Sequence, residues 1–188
     1  MLMTIVAALA MVTLPPNEPS DPSAQVRETA YARVARAQAL ARDAELVKAV
    51  LESNARPQGL GEIMQTDQLW ISSRDYPLRK QIVARPCSAR MRRLLQDDTI
   101  VVEAFTMDGR GALVCATGEA SDYWQGDEPK WQKTFQQGHD VWVEEPALDA
   151  STGMYAVQLS VPMRDGSRAI GALTLTLKVR RRQLTKTP

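Results

Sequence analysis

Histidine, cysteine and aromatic residues are scarce in this sequence, and their scarcity excludes several kinds of chemistry. In 188 residues, only His139, Cys87 and Cys115 supply an imidazole or a thiol, and their spacing matches no zinc or redox motif. No Ser–His–acid order, GxSxG motif or phosphate-binding glycine loop occurs. The sequence therefore predicts a protein that is not an enzyme and that holds no metal or cofactor.

An excess of charge of one sign and a long apolar run are also lacking. The net charge of +1 favours neither nucleic acid nor a membrane surface, and the one local excess is a basic tail at residues 181–188. No apolar run reaches the about 20 residues that cross a bilayer. The run within residues 1–16 instead fits a secretory signal peptide, although no basic residue precedes it. We expect a periplasmic or secreted protein, either free or anchored by an uncleaved N-terminal segment.

The two cysteines leave two arrangements open. An oxidising compartment would permit a disulfide between Cys87 and Cys115. In the other arrangement, both residues are small buried hydrophobic side chains.

The first half of the chain has the apolar spacing of helices. Residues 17–23 are predicted to be a linker. Near its end stands Asp21-Pro22, a pair typical of an N-cap and a first helical position. Apolar residues then recur every three or four positions over 24–53, which predicts one long helix. A shorter helix should follow around Trp70, and 77–95 should hold one or two more, interrupted at Pro86. The long helix is rich in alanine and needs a close-packed partner, which makes it a candidate surface for a homodimer.

The second half changes to a period of two. The predicted strands are Thr99–Met107, Gly111–Thr117, Asp140–Glu145, Tyr155–Met163 and Ala169–Val179. The turns Asp108–Gly111 and Asp165–Gly166 are short, so the strands that they join must be antiparallel. The sequence thus predicts one α+β domain over 24–180, in which a helical part (24–97) packs on a five-stranded antiparallel sheet (98–180).

The segment between the second and third strands holds an unusual mixture of residues. Ser121–Trp131 reads SDYWQGDEPKW and combines three aromatic side chains with four charged ones. A loop is expected first, then a helix over about 127–137. Aromatic rings can shape a pocket and a few polar groups can orient a small guest within it. Alternatively, the rings belong to the core and the charges are solvated.

These segments resemble the single Cache family of extracytoplasmic sensor domains, which are also called PAS-like or PDC sensor domains. The resemblance spans residues 44–179 and is most specific in SDYWQGDEPKWQKTF, which resembles the signature of free-standing exported bacterial members. Weaker matches are TMDGRGALVCAT (106–117), LDASTGMYAVQLSVPM (148–163) and IGALTLTLKV (170–179). The resemblance implies a long N-terminal helix followed by a five-stranded PAS-like sheet.

The resemblance also implies that a ligand lies between the sheet and the segment 121–137. The candidate ligand-binding residues are Trp70, Tyr123, Trp124, Asp127, Lys130, Trp131, Tyr155, Gln158 and Asp165. Several have a structural alternative: the tryptophans as core, Asp127 as an N-cap, Lys130 as a solvated side chain and Asp165 as a turn residue. Gln158 stands out because a buried amide in an apolar strand needs partners.

The function predicted from the sequence is recognition of a small polar metabolite, such as an amino acid, a carboxylate or an amine. Because no output module follows the sensor-like part in this sequence, a signal would pass through a partner, such as a membrane-bound signalling protein. Nucleic acid is not an expected partner, since no reading motif accompanies the basic residues. The alternative is an interaction or scaffold protein with a degenerate pocket that acts through helix-mediated dimerisation or docking.

Overall fold

A computed structural model of the chain describes residues 21–180. The predicted signal peptide (1–16), most of the predicted linker and the basic tail (181–188) lie outside these residues. No helix between residues 21 and 180 is long and apolar enough to cross a bilayer.

The centre of the fold is an antiparallel sheet of six strands. They are β1 (Val101–Asp108), β2 (Leu113–Ala116), β3 (Trp142–Val143), β4 (Ala147–Asp149), β5 (Met154–Asp165) and β6 (Arg168–Arg180). The strand order is β2-β1-β6-β5-β3, and β4 also pairs with β5. The predicted α+β class is therefore confirmed.

The difference from five predicted strands lies at one edge of the sheet. The strands β3 and β4 share this edge, since β3 pairs with β5 at Leu159–Ser160 and β4 pairs at 154–156. Pro146 lies between them and has no backbone N–H to donate to a ladder. The third strand was expected to end before this proline. The chain returns to the same edge immediately after it and forms β4, which is the additional strand.

Seven α-helices and a π-helical turn surround the sheet in the described part of the chain. They are α1 (Pro22–Tyr31), α2 (Val34–Ala41), α3 (Ala44–Asn54), α4 (Leu60–Ser72), α5 (Pro77–Ala84), α6 (Pro86–Leu95), α7 (Pro129–Trp131) and the π-helical turn Gln132–Gln136. As expected, Asp21 caps α1 through its side chain and Pro22 is its first residue. The helices predicted around Trp70 and over 77–95 are confirmed as α4, α5 and α6.

The prediction of one long N-terminal helix is wrong, because the run breaks near Arg33 and again at Asp43. The carboxylate of Asp43 accepts hydrogen bonds from the backbone N–H of Glu45 and Leu46 and thereby starts a new helix. Each break is also held by an ion pair. Arg33 binds Asp98 through Nε and Nη2 at 2.8 and 3.1 Å, and Arg90 binds Asp43 at 2.9 and 3.0 Å. Three short helices can therefore follow the twisted sheet more closely than one straight helix.

Strands β5 and β6 present two different faces to their surroundings. One face is aliphatic, with Val157, Leu159 and Val161 on β5 and Leu173, Leu175, Leu177 and Val179 on β6, all buried in one core cluster. Helices α1, α2 and α3 pack against this face, which we call the aliphatic face. Their alanines Ala30, Ala37 and Ala41 are buried there, so this alanine stripe is used within the chain and is not free to form a dimer.

A disulfide between Cys87 and Cys115 joins the first turn of α6 to β2. Of the two arrangements that the sequence left open, the structure has the cross-link. Both cysteines are buried in the same core cluster as the aliphatic face, so the bond ties the helical half of the chain to the sheet.

Candidate functional site

The segment from residue 118 to 137, which we call the excursion, leaves β2 and crosses the second face of the sheet. The carboxylate of Asp67 on α4 fixes its path by accepting hydrogen bonds from the backbone N–H of Tyr123 and Trp124, at 2.8 and 2.9 Å. Gly111 adopts a positive φ of 82°, and a Cβ there would come within 2.5 Å of the backbone of Gly126. Two glycines thus allow the excursion to lie directly against the β1–β2 turn.

Three of the four tryptophans anchor this part of the fold. Each indole N–H donates to a backbone carbonyl: Trp70 to Ala120 at 3.0 Å, Trp124 to Arg110 at 2.8 Å, and Trp131 to Asp108 at 2.9 Å. Trp70 and Trp131 are buried in a second core cluster that also contains Tyr123. Because the protein itself satisfies the polar atom of each ring, these rings hold the excursion on the sheet.

Asp108 organises the turn beneath Trp131, and sequence reasoning missed it. The residue is fully buried. Its Oδ1 accepts from the backbone N–H of Arg110 and Ala112, while its Oδ2 accepts from the Ser53 hydroxyl and the Arg110 guanidinium. In the sequence, the only indication of its role is that it begins a predicted Asp-Gly turn, and such a turn does not indicate burial. This carboxylate is saturated by the protein and serves structure.

Lys130 is the one charged residue of the excursion that is buried. It lies in α7, its side chain is only 9% exposed, and its Nζ is 3.8 Å from a carboxylate oxygen of Glu128. Its ammonium also lies 5.7 Å from the centre of the Phe105 ring. Among residues 21–180, no acceptor lies within hydrogen-bonding distance of this Nζ. Protein encloses most of the Lys130 side chain, while the ammonium at its end keeps donors that no protein acceptor uses. This position therefore suits an incoming anionic group.

Polar side chains cover the sheet on the side where α7 and the π-helical turn pack on β5 and β6. They are Glu103, Gln158, Ser160, Thr174 and Thr176, which we call the polar face. Register places Gln158 and Glu103 on either side of Thr176. Thr176 donates to Glu103 at 3.3 Å, and the hydroxyls of Ser160 and Thr174 lie 2.8 Å apart. Hydroxyl, amide and carboxylate groups are therefore arranged together on the face opposite the aliphatic one.

The acids around Lys130 are held closer to neutrality than ordinary glutamates. Burial raises the pKa of Glu103, and the hydrogen bond from Thr176 and the charges of Lys130 and Lys178 offset that only in part. Glu144 is exposed, and the partial loss of water around its carboxyl still raises its pKa, against the opposing charge of Lys130. Raised carboxyl pKa values beside a largely enclosed lysine are typical of functional sites.

Tyr123 connects the excursion to the arginines at the β2 edge of the sheet. Burial is the main cause that raises the pKa of its hydroxyl, and the charge of Asp108 adds to it, whereas Arg85, Arg56 and Arg110 act in the opposite direction. Its ring lies 5.8 Å from that of Trp70, which in turn carries the guanidinium of Arg79 at 4.7 Å.

Three of the candidate residues are not brought to this site. Tyr155 lies on the aliphatic face, because it is three positions from Gln158 and side chains alternate along a strand. Asp127 is exposed, and the helix that follows begins after Glu128 without any side-chain cap. Asp165 is exposed in the β5–β6 turn, where it lies 3.5 Å from Arg168.

The structure therefore brings together Lys130 and Gln158, with Trp131 immediately beside Lys130 and with Tyr123, Trp124 and Trp70 toward the β2 edge. It adds Glu103, Ser160, Thr174 and Thr176, which sequence reasoning did not select. The alternation of side chains along β6 is a signal for Thr174 and Thr176, because it assigns both to the side of the strand opposite the leucines. Glu103 also has a signal in the sequence, because it is the one charged residue in the first part of β1, before the strand becomes buried.

Two solved structures share this fold at low sequence identity. The sensor domain of the histidine kinase DctB from V. cholerae aligns over 88% of this chain and 55% of its own length, with 12% identity and a TM-score of 0.51. The extracellular domain of vpHK1S-Z8, named as a histidine kinase, aligns over 89% and 59%, with 10% identity and a TM-score of 0.51.

The chain thus spans just over half the length of these two structures. No protein-family model matches the sequence, and no curated protein matches it either. The chain shares the fold of these two sensor domains, and the resemblance seen in its sequence is confirmed at the level of the fold.

Proposed function

We propose that this chain is a sensor-type domain that binds a small polar metabolite outside the cytoplasm, and that the ligand lies between the excursion and the polar face. The metabolite carries a carboxylate, which pairs with Lys130. No step of covalent chemistry is part of this function.

The observation that carries the proposal is the state of Lys130. Its side chain is only 9% exposed, and the one carboxylate within 4 Å of its ammonium among residues 21–180 is Glu128 at 3.8 Å. A ligand carboxylate at hydrogen-bonding distance would supply the missing acceptor, and such charge-assisted hydrogen bonds are the stronger kind.

The polar face supports a ligand with a second polar group. Glu103 and Gln158 can each accept a hydrogen bond, and Ser160, Thr174 and Thr176 offer hydroxyls that donate or accept. A donor such as an ammonium or a hydroxyl on the ligand would therefore find acceptors on the sheet while its carboxylate faces Lys130. An amino acid or a hydroxy acid has this arrangement of groups.

The aromatic residues contribute to this function by position and not by contact with the guest. Trp124 and Trp131 hold the excursion through their N–H bonds, so the backbone that carries Lys130 has a fixed place over the sheet. Four cavities lie among residues 21–180, and none of these four is lined by Lys130 or by a residue of the polar face. The proposal therefore rests on the contacts of Lys130 and of the polar face.

A thermal-shift screen against amino acids, organic acids and amines tests the proposal. A ligand that binds the native state raises the melting temperature by mass action, and we expect carboxylate-bearing compounds to do so. Lys130→Met should abolish that shift, whereas Lys133→Gln removes a charge from the next turn of the same segment and should keep it. The proposal fails if no carboxylate raises the melting temperature, or if Lys130→Met responds as the wild type does.

A second candidate function is that of an interaction protein whose pocket has been lost. In its favour, the backbone carbonyls of the protein already satisfy all three anchoring indoles. Helix α4 also exposes Leu60, Met64 and Ile71, which are spaced to share one side of the helix. Sedimentation over a range of concentrations checks self-association through this side, and Met64→Glu should then favour the monomer.

A further inference from the structure

A half-open cavity of about 330 Å³ lies at the β2 edge of the sheet, away from Lys130. One wall is the side of α3 that carries Lys48, Ala49 and Glu52, and it continues to Arg56 just beyond the helix. The opposite wall is the junction of α5 and α6, with Arg85 and Pro86, and Val114 of β2 lies between the two walls. The cavity thus has apolar surfaces and a cluster of charges at its mouth.

The arginines of this cavity differ from three arginines elsewhere in the described part of the chain. Arg33, Arg90 and Arg110 are each paired with an aspartate at 2.8–2.9 Å. By contrast, among the described residues neither Arg56 nor Arg85 has a carboxylate within 4 Å. Arg85 donates one hydrogen bond, from Nη1 to the carbonyl of Val114 at 2.6 Å, and the other N–H groups of its guanidinium remain available.

The two guanidinium groups are close enough to act on one another. Burial lowers the pKa of Arg85, and the charge of Arg56 lowers it further. Two cations that repel each other without a counter-ion cost free energy, and a bound anion would remove that cost.

The acids on the α3 wall do not neutralise the arginines. Glu52 lies 3.8 Å from Lys48 on the same helix, which leaves Glu45 at the rim as the only acid to set against Arg56 and Arg85. The five charged groups of the lining therefore sum to one positive charge. Helix α6 begins at Pro86 on this wall without a side-chain cap, and the partial positive charge of its first turn adds to the same potential.

We infer that this cavity binds the oxyanion group of a small molecule, a phosphate or a carboxylate, held between Arg56 and Arg85. The guanidinium group is planar and presents paired N–H donors that match two oxygens of such a group. Ala49, Pro86 and Val114 then contact the short hydrocarbon part of the ligand. This site is independent of the one proposed at Lys130, because the polar face lies on β5 and β6 and the cavity lies at the β2 edge.

An NMR titration at low ionic strength tests the inference, with inorganic phosphate in one arm and propionate in the other. The backbone amides of Cys87 and Val114 report on the cavity. We expect at least one of the two anions to shift these amides saturably. The arm that responds tells which oxyanion the site prefers.

Arg56→Gln is the decisive variant, because the Arg56 side chain makes no hydrogen bond or ion pair in the described residues and its loss should leave folding intact. Binding should weaken by about tenfold or more, as expected when a charge-assisted contact is lost. Arg85→Gln should weaken it likewise. Arg93→Gln removes the same charge from an exposed position on α6 and serves as the control, with less than about a twofold change.

Lys130→Met should leave this titration unchanged, which separates the two sites. The inference is overturned if neither anion shifts the amides saturably, or if Arg56→Gln binds as tightly as the wild type. It is also overturned if Arg93→Gln weakens binding as much as Arg56→Gln does, because the effect would then be one of overall charge.

Discussion

The two faces of the sheet are made from the same two strands and serve different purposes. On β5 and β6, the residues that face α1, α2 and α3 are mostly valines and leucines, and they are buried. The alternate residues, which face the excursion, include Gln158, Ser160, Thr174 and Thr176. The aliphatic face has the composition of a core, whereas the polar face has more hydrogen-bonding groups than a core requires.

The charges near each face differ in the same way. Those beside the aliphatic face are paired at short distances, as in Arg33–Asp98 and Arg90–Asp43. On the polar side, Lys130 is buried with its nearest acid at 3.8 Å, and Glu103 has a raised pKa. We take the first arrangement to serve stability and the second to be retained at a cost to stability for the sake of binding.

The largest difference between the faces should appear on truncation. Leu175→Ala should lower the free energy of unfolding by about 2–5 kcal/mol, because it opens a void in the aliphatic core. The double variant Ser160→Ala with Thr174→Val removes the neighbouring hydroxyl pair from the polar face, and replacing both partners together should change stability by less than about 1 kcal/mol. Urea unfolding measures both, and equal losses would contradict the distinction between the faces.

The disulfide should stabilise the aliphatic side of the fold almost as much as the Leu175 side chain does. Replacing both Cys87 and Cys115 by alanine should lower the free energy of unfolding by about 3 kcal/mol, because a cross-link across a separation of 28 residues restricts the unfolded chain. The loss is read from urea unfolding without reductant. Adding reductant to the wild type should produce a similar loss, and no loss in either experiment would show that the bond does not support the fold.

A smaller effect is a pH dependence of opposite sign on the two sides. Burial favours the neutral form of Asp98, but the hydrogen bonds and charge of Arg33 outweigh it and hold its pKa below the ordinary 3.8. The stability that Asp98 contributes is therefore present above about pH 4 and lost as the pH falls through the folded value. Asp98→Asn should reduce stability by about 1–2 kcal/mol at pH 7 and less at pH 3.

Glu103 should behave in the reverse sense. Its pKa is raised above the ordinary 4.5 by burial, so its contribution is most favourable below that value and declines as the pH rises through the folded one. Glu103→Gln should raise the melting temperature at pH 7 by about 1–3 °C, and the gain should disappear near pH 4. Melting curves at several pH values check this, and a gain that is constant with pH would contradict the assignment.

Much of the fold follows from periodicity alone. Alternation in Leu173–Val179 predicts which side of β6 is buried, and the helices from residue 60 onward agree with their apolar spacing. The breaks in the N-terminal run do not follow from spacing, because they depend on Asp43 capping a new helix and pairing with Arg90. An aspartate within a helical pattern is a signal for such a break, but its partner comes from a distant part of the chain.

The site was less predictable than the fold. Lys130 and Gln158, both proposed as ligand-binding residues, lie on the same side of the sheet, whereas Tyr155 was placed there against the period of its own strand. The two tryptophans of the excursion, Trp124 and Trp131, donate to backbone carbonyls, and which carbonyl an indole reaches is decided only by tertiary structure. The disulfide and the hydrogen bond from Ser53 to Asp108 likewise join residues that are distant in sequence, so only the folded structure shows them.

The most direct test of the central claim is the melting temperature of the wild type and of Lys130→Met, measured with and without the carboxylate that gives the largest shift. If Lys130 holds a ligand carboxylate on the polar face, the wild type should gain about 2.7 kcal/mol of stability at a hundredfold excess over the dissociation constant, and the variant should gain almost none. Equal gains in the two proteins would contradict the account.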